Sequence, residues 1–253
     1  MARIRDESWL LDNTRLPVRI YSEWRSNRRI SIGKKGVHIR LPLTVTLSNN
    51  APWRKWALLW LTQQFHKNPI LKTRFTSPDI RPSQIVRTTH KTYQLQNFEI
   101  SQRKHPIGKV VKNNITIQGG SNFFENEDQR SLQRVIEKSI SKDQHDWLAN
   151  KVETLNKRFY NKPYRKVLIK HNSSNWGSCS SSGNINISFR TLLTPNEIID
   201  YVIVHELAHL SEMNHGIRFW NLVEQAIPDY KTKDKWLRTT GRQVHLKFEN
   251  PIN

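Results

Sequence analysis

One cysteine, Cys179, stands in a chain of 253 residues, which excludes any internal disulfide and fits a reducing compartment. No run approaches the roughly 18 consecutive apolar residues that cross a bilayer, so no membrane-spanning helix is expected. The opening Met1-Ala2-Arg3-Ile4-Arg5 lacks the apolar core of a secretory signal, and a cytoplasmic location is the expectation. Low-complexity linkers and internal sequence repeats are also missing. What remains, 36% hydrophobic residues with nine tryptophans, is enough for a folded protein with a proper core.

Acidic residues are scarce: 21 Asp and Glu against 41 Lys and Arg, a formal charge of +20. The deficit is uneven. Residues 1–120 hold 22 basic and 6 acidic side chains, a net +16, whereas residues 121–253 hold 19 and 15, a net +4. A field of that sign favours phosphate-rich partners, namely nucleic acid, nucleotides or another polyanion. It reports on partners and not on chemistry.

The basic half reads mostly as strands. Arg29–Ile32 and Val37–Arg40 alternate around Lys34-Lys35-Gly36, the pattern of a hairpin. A second hairpin is expected where Lys109-Val110-Val111 and Ile115-Thr116-Ile117 flank Asn113-Asn114, with Thr92–Gln96 in the same sheet. One helix interrupts, with Asn50 as its cap, Pro52 in its first turn and Trp53, Trp56, Ala57 and Trp60 at helical spacing, a stripe expected to pack on the sheet. From about residue 127 to 160 Leu132, Val135, Ile136, Ile140, Trp147, Leu148, Val152, Leu155 and Phe159 share one helical face. A kink is allowed over that length, and Lys162-Pro163 ends it. Strands at Lys166–Lys170 and Asn184–Ser188 follow, separated by Asn175–Cys179 and a Ser181-Ser182-Gly183 turn.

The next helix is expected to open with a capping box, Thr194 paired with Glu197 and Pro195 in the first helical position. It continues through Ile198, Ile199, Tyr201, Val202, Ile203 and Val204, apolar nearly all round, and is therefore buried. Into that frame falls His205-Glu206-Leu207-Ala208-His209. Histidines four apart lie on one helical face and can reach one ion. Glu206 projects about 100° from His205, where its carboxylate meets a metal-bound water and not the metal. A third ligand is required, and His215 stands six residues beyond His209 in H-E-L-A-H-L-S-E-M-N-H, the ligand spacing of the metzincins. Their glycine is Glu212 here, so the turn must be made differently, and a left-handed Asn214 is the candidate. Glu224, on the Phe219-Trp220-Leu222-Val223 helix, is the alternative ligand or an orienting partner for a histidine. Cys179 reads as a small buried thiol, since a fourth protein ligand would close the catalytic position. Arg190 either braces the fold or stabilises an oxyanion, and His245 reads as a surface histidine.

The segments N-W-G-S-C-S-S-S-G-N-I-N-I-S, D-Y-V-I-V-H-E-L-A-H-L and M-N-H-G-I-R-F-W together resemble the YgjP-type metal-dependent hydrolases, zincin-like proteins related to the SprT and WLM groups. The resemblance is close over residues 165–246 and weaker over the N-terminal hairpin. It departs from the family at Asn175, where an arginine is usual before Trp-Gly-Ser. It implies metal ligands at His205, His209 and His215 and an acid/base at Glu206.

The expectation is thus an α+β protein in two parts. Residues 1–120 form a basic, antiparallel β-rich region with one helix, and residues 121–253 a zincin-like helical domain with a small sheet and the HExxH helix. The hairpin of Trp176, Gly177, Ser178 and Asn186 lines the cleft as a substrate edge. The leading function is a zinc metallopeptidase in which a metal-bound water activated by Glu206 attacks a peptide carbonyl; manganese, cobalt or nickel can occupy the same site. The alternatives are a nucleoside triphosphate pyrophosphatase, its phosphates clamped by the basic half, a nucleic-acid-associated protease, and a metal-stabilised binding module.

Overall fold

A computed structural model describes residues 3–12, 14–33, 36–49, 51–68, 71, 75, 79–103, 105–121, 123, 129–172 and 174–251. The expected cap Asn50 and turn residues Lys34 and Lys35 lie outside these. The chain divides into two compact units, Met1–Pro78 and Asp79–Asn253.

In the first unit, β1 (Arg3–Leu11), β2 (Thr14–Glu23), β3 (Arg29–Ile32) and β4 (Val37–Pro42) form one sheet in the order β1-β2-β4-β3, followed by α1 (Pro52–Lys67). Strict alternation along β2 and β4 buries Leu16, Val18, Ile20, Val37, Ile39 and Leu41 on one face. These form one core with Trp53, Ala57, Leu61 and Phe65 of α1, so the tryptophan stripe packs on its own sheet as expected. Glu7 joins sheet to helix by receiving both Nη groups of Arg54, at 2.6 and 2.8 Å, and the indole N–H of Trp9.

The second unit opens with β5 (Ile85–Arg87), β6 (Thr92–Ile100), β7 (Ile107–Val111) and β8 (Asn114–Gly119), in the order β5-β6-β8-β7. Both expected hairpins are present, β3–β4 and β7–β8. The sheets are not purely antiparallel, however: β2 pairs with β4, and β6 with β8, in parallel. The two sheets share one topology, each followed by a helix, a structural repetition invisible in a sequence without repeats. Alternation says which face a residue takes, not which strand lies beside it.

The packing boundary at Pro78–Asp79 also differs from the composition change at residue 120. Val86, Tyr93, Leu95, Ile115 and Ile117 of the second sheet share a core with Leu132, Ile136 and Ile140 of α2 (Gln129–Phe159). Apolar packing sets a domain edge, whereas charge is a surface property. Helix α2 runs 31 residues without a break. It ends where Asn161 turns left-handed, and buried Asn156 clips the exit through both the N–H and C=O of Lys162.

Beyond α2 lies a small mixed sheet of β9 (Lys166–Lys170), β10 (Gly177–Cys179) and β11 (Asn184–Ser188), in the order β10-β11-β9, so β10 is an edge strand. Then come α3 (Asn196–Ala208), α4 (Ile217–Ala226) and α5 (Tyr230–Arg238). The expected capping box is not made. Thr194 donates its hydroxyl to the Thr191 carbonyl instead, closing the preceding 3-10 turn, and Pro195 occupies the cap position with Asn196 as the first helical residue. Among the described residues no helix is long and apolar enough to cross a membrane.

Candidate metal centre

Helix α3 buries Ile198, Ile199, Tyr201, Val202, Ile203, Val204 and Leu207, and its apolar surface fixes it in the middle of the unit between the small sheet, α4 and α5. Its last turn carries His205 and Glu206, and His209 follows as the C-terminal cap. The chain then reverses. The N–H groups of Leu210, Ser211 and Glu212 return to carbonyls of Leu207 and Ala208, and Gly216 N–H reaches Asn214 O at 2.8 Å. Asn214 does not adopt the left-handed conformation expected of it; this local bond makes the turn with ordinary φ values.

The reversal brings the exposed His215 back to the helix end. His205, His209 and His215 each offer a ring nitrogen, all within 4.8 Å of one another. The Nε2 atoms of His205 and His215 are 3.0 Å apart. The Nδ1–H of His209 donates to the Glu212 carbonyl at 3.0 Å, which sets its tautomer and leaves Nε2 to act as a ligand. Burial, with the two neighbouring imidazoles adding to it, pushes His205 down to about 3, and burial moves His209 the same way. Ring nitrogens that converge in this way suit a zinc-type divalent ion; without a proton or cation between them, nitrogens that close would repel.

Phe219 underlies the cluster. Fully buried on α4, it has its ring centroid 4.9, 4.5 and 4.7 Å from those of His205, His209 and His215. Trp220 flanks His205 and His215 and stacks on Tyr230. In the sequence Phe219 and Trp220 are legible only as residues of a packed helix. The signal was the four-residue step from His215 to Phe219, but a shared rotation about a helix does not reveal which rings meet.

Glu206 is 5% exposed. Burial pushes its carboxyl up to about 8, and a hydrogen bond from the Cys179 backbone pulls it the other way. Strand β10 passes so close that a Cβ on Gly177 would stand 2.5 Å from Glu206 Oε1 and 2.6 Å from Cγ. Gly177 is therefore needed for room, not for a left-handed backbone.

The other predicted residues are distributed differently. Glu224 is exposed on α4 and is not part of the histidine cluster. Ser178, one step from Gly177 along β10, lies on the opposite strand face, where Asn186 donates to its hydroxyl at 3.1 Å. These two side chains satisfy each other away from Glu206. Trp176 lies beneath Arg190, whose guanidinium is 4.2 Å from the indole and donates to the carbonyls of Gly241 and Val244, contacts that brace the C-terminal segment. Burial pushes the Cys179 thiol up to about 11, with the Glu206 charge adding to it, which disfavours the nucleophilic thiolate. His245 is exposed and bonded to Gln243. A cavity of about 530 Å³ opens beside His209, bounded by Arg165, the Ser180–Gly183 turn and Met213.

The model of the YgjP-like metallopeptidase domain matches residues 26–240. The chain belongs to the YgjP-like family. Membership makes it a metal-dependent hydrolase, and the three-histidine cluster lies within the matched YgjP-like region. No curated protein matches the chain. A crystal structure of the metallopeptidase zymogen of Pyrococcus abyssi abylysin is similar at 24% identity, over 39% of this chain and 99% of that one, with a TM-score of 0.35. That likeness is too slight to add to the YgjP-like assignment.

Proposed function

We propose that the chain is a zinc-dependent peptidase, with His205, His209 and His215 as the ligands and Glu206 as the general acid/base. The observation that carries this reading is the convergence of three ring nitrogens within 4.8 Å beside a buried carboxylate on the same helix. Zinc held by three imidazoles supplies Lewis acidity toward water and toward a carbonyl oxygen.

The chain's own residues supply the rest. Glu206, its ionised form favoured by a divalent ion on the three histidines against the burial that raises its pKa, accepts the proton of the attacking water and passes it to the departing amine. Burial strengthens its electrostatic interactions, the Cys179 N–H orients it, and Gly177 leaves the space it occupies. Among the described residues the edge strand β10 is paired only with β11, and its outer side suits an extended peptide added as a further strand. The cavity beside His209 offers a place for one substrate side chain. The substrate edge is therefore the β10 backbone, not the side chains of Ser178 and Asn186.

The test is a parallel screen of zinc-loaded wild type and Glu206→Gln against protein, peptide and nucleoside triphosphate substrates. Peptide cleavage is expected from the wild type, with turnover falling by orders of magnitude in Glu206→Gln at equal zinc content. Pyrophosphate release without peptide cleavage would establish a phosphohydrolase instead, and full turnover by Glu206→Gln would overturn the role of the carboxylate.

A further inference from the structure

The first unit carries charge and aromatic surface that hydrolysis leaves unused. Between Met1 and Pro78 stand 15 Lys and Arg against 4 Asp and Glu, a net +11. Three of those carboxylates already pair with arginine: Asp6 with Arg19, Glu7 with Arg54, and Glu23 with Arg40 and Arg25. Most of the positive charge thus has no carboxylate in the unit to neutralise it, and an external polyanion relieves that self-repulsion.

The charge has a shaped platform. One face of the first sheet is buried against α1; alternation puts Arg15, Arg19, Arg29 and Arg40 on the other, with Tyr21 and His38 among them. Register aligns Arg29, Arg40 and Tyr21 in one row across three strands, and Ser31, His38 and Arg19 in the next. The Arg40 guanidinium sits 4.5 Å from the Tyr21 ring centroid, and Tyr21 stacks with His38. At the end of β2 stands Trp24, 91% exposed, in a connection that also carries Arg25 and Arg28. Arg25 pairs with Glu23 and Arg28 lies over Trp56, so what Trp24 itself offers to solvent is an exposed aromatic face at the end of an arginine-bearing strand.

We propose that this face binds single-stranded nucleic acid, its phosphates on the arginines and an unpaired base stacked on Trp24. A duplex hides its base faces. A sulfated polysaccharide or an anionic vesicle offers charge without a ring to stack, so the aromatic member of the patch favours the single strand.

The test titrates the full chain into fluorescent oligothymidine and oligouridine of about 20 nucleotides, a duplex of equal length, and fluorescent heparin. Single strands of either sugar are expected to bind more tightly than the duplex. Trp24→Ala should weaken single-strand binding by about five-fold or more, the lower end for loss of one stacked base, and change heparin binding less than about two-fold. Arg15→Ala with Arg29→Ala should flatten the log–log salt dependence by about 1.4, the release of two phosphate contacts. All three substituted side chains are exposed or edge-placed, so unchanged circular dichroism should accompany the effects. An unaltered single-strand affinity in Trp24→Ala, or equal binding of duplex or heparin and single strand, would overturn the proposal. Peptidase assays bear on neither result.

Discussion

Replacing Gly177 with alanine is expected to disable turnover without removing the metal. The added methyl would stand 2.5 Å from Glu206 Oε1, 2.6 Å from Cγ and 2.8 Å from Cδ, where ordinary contact begins at 3.4 Å. Relieving the shortest contact requires about 0.9 Å of movement. Glu206 has little room to yield, being packed in the unit's interior, and β10 is tied to β11 by paired backbone. Overpacking of this kind costs about 1–3 kcal/mol of stability. A displacement near 1 Å of a group that moves a proton costs about 100-fold in rate. None of the three clustered histidines is among the nearest neighbours of the new methyl. The measurements are zinc content by mass spectrometry, thermal midpoint, and kcat/KM on the best peptide from the substrate screen. A variant with wild-type rate and midpoint would refute the claim that β10 holds the carboxylate in place. One that lost its zinc would show that the strand supports the ligands instead.

Other outcomes follow from the same geometry. Alanine at His205, His209 or His215 should abolish tight zinc binding, whereas Glu224→Ala should retain it, because Glu224 is exposed and outside the cluster; a competition titration with a chromogenic chelator separates the four. Phe219→Ala should cost about 3–5 kcal/mol in denaturant unfolding and weaken zinc binding, since the ring it removes touches all three histidines; unchanged metal affinity would reduce Phe219 to core filling. Glu7 is held below the usual carboxylate value of 4.5, first by its hydrogen bond from Arg54. Its contribution should be fully present above pH 4.5 and vanish as pH falls through the lower folded value. Wild type should therefore exceed Glu7→Gln in stability at neutral pH, and the gap should close in acid; a gap independent of pH would contradict the ion pair.

Much of this was legible in the residues. The alternation of Val37-His38-Ile39-Arg40 and of Ile115-Thr116-Ile117 marked hairpins, because strand faces depend on nearest neighbours in sequence. A long helix at α2 and the buried α3 followed from apolar spacing, whereas that α2 runs without a break did not. The failures share one cause. Thr194 and Asn214 are suited to the cap and the left-handed turn, but other partners, Thr191 and Gly216, take their polar groups. The charge change near residue 120 and the packing boundary at Pro78–Asp79 are separate properties, one of surface and one of core.

From sequence alone came the pairing of His205 with His209 on one helical face and the offset of Glu206, since four residues and a fixed rise determine both. The tertiary structure decided what lies far along the chain: Gly177 against Glu206, Phe219 beneath three imidazoles, parallel strands at the centre of each large sheet, and Glu224 out in solvent. Helical spacing is local geometry. Which surfaces meet after the chain has turned depends on competing burial across the whole unit, and no short-range pattern carries that information.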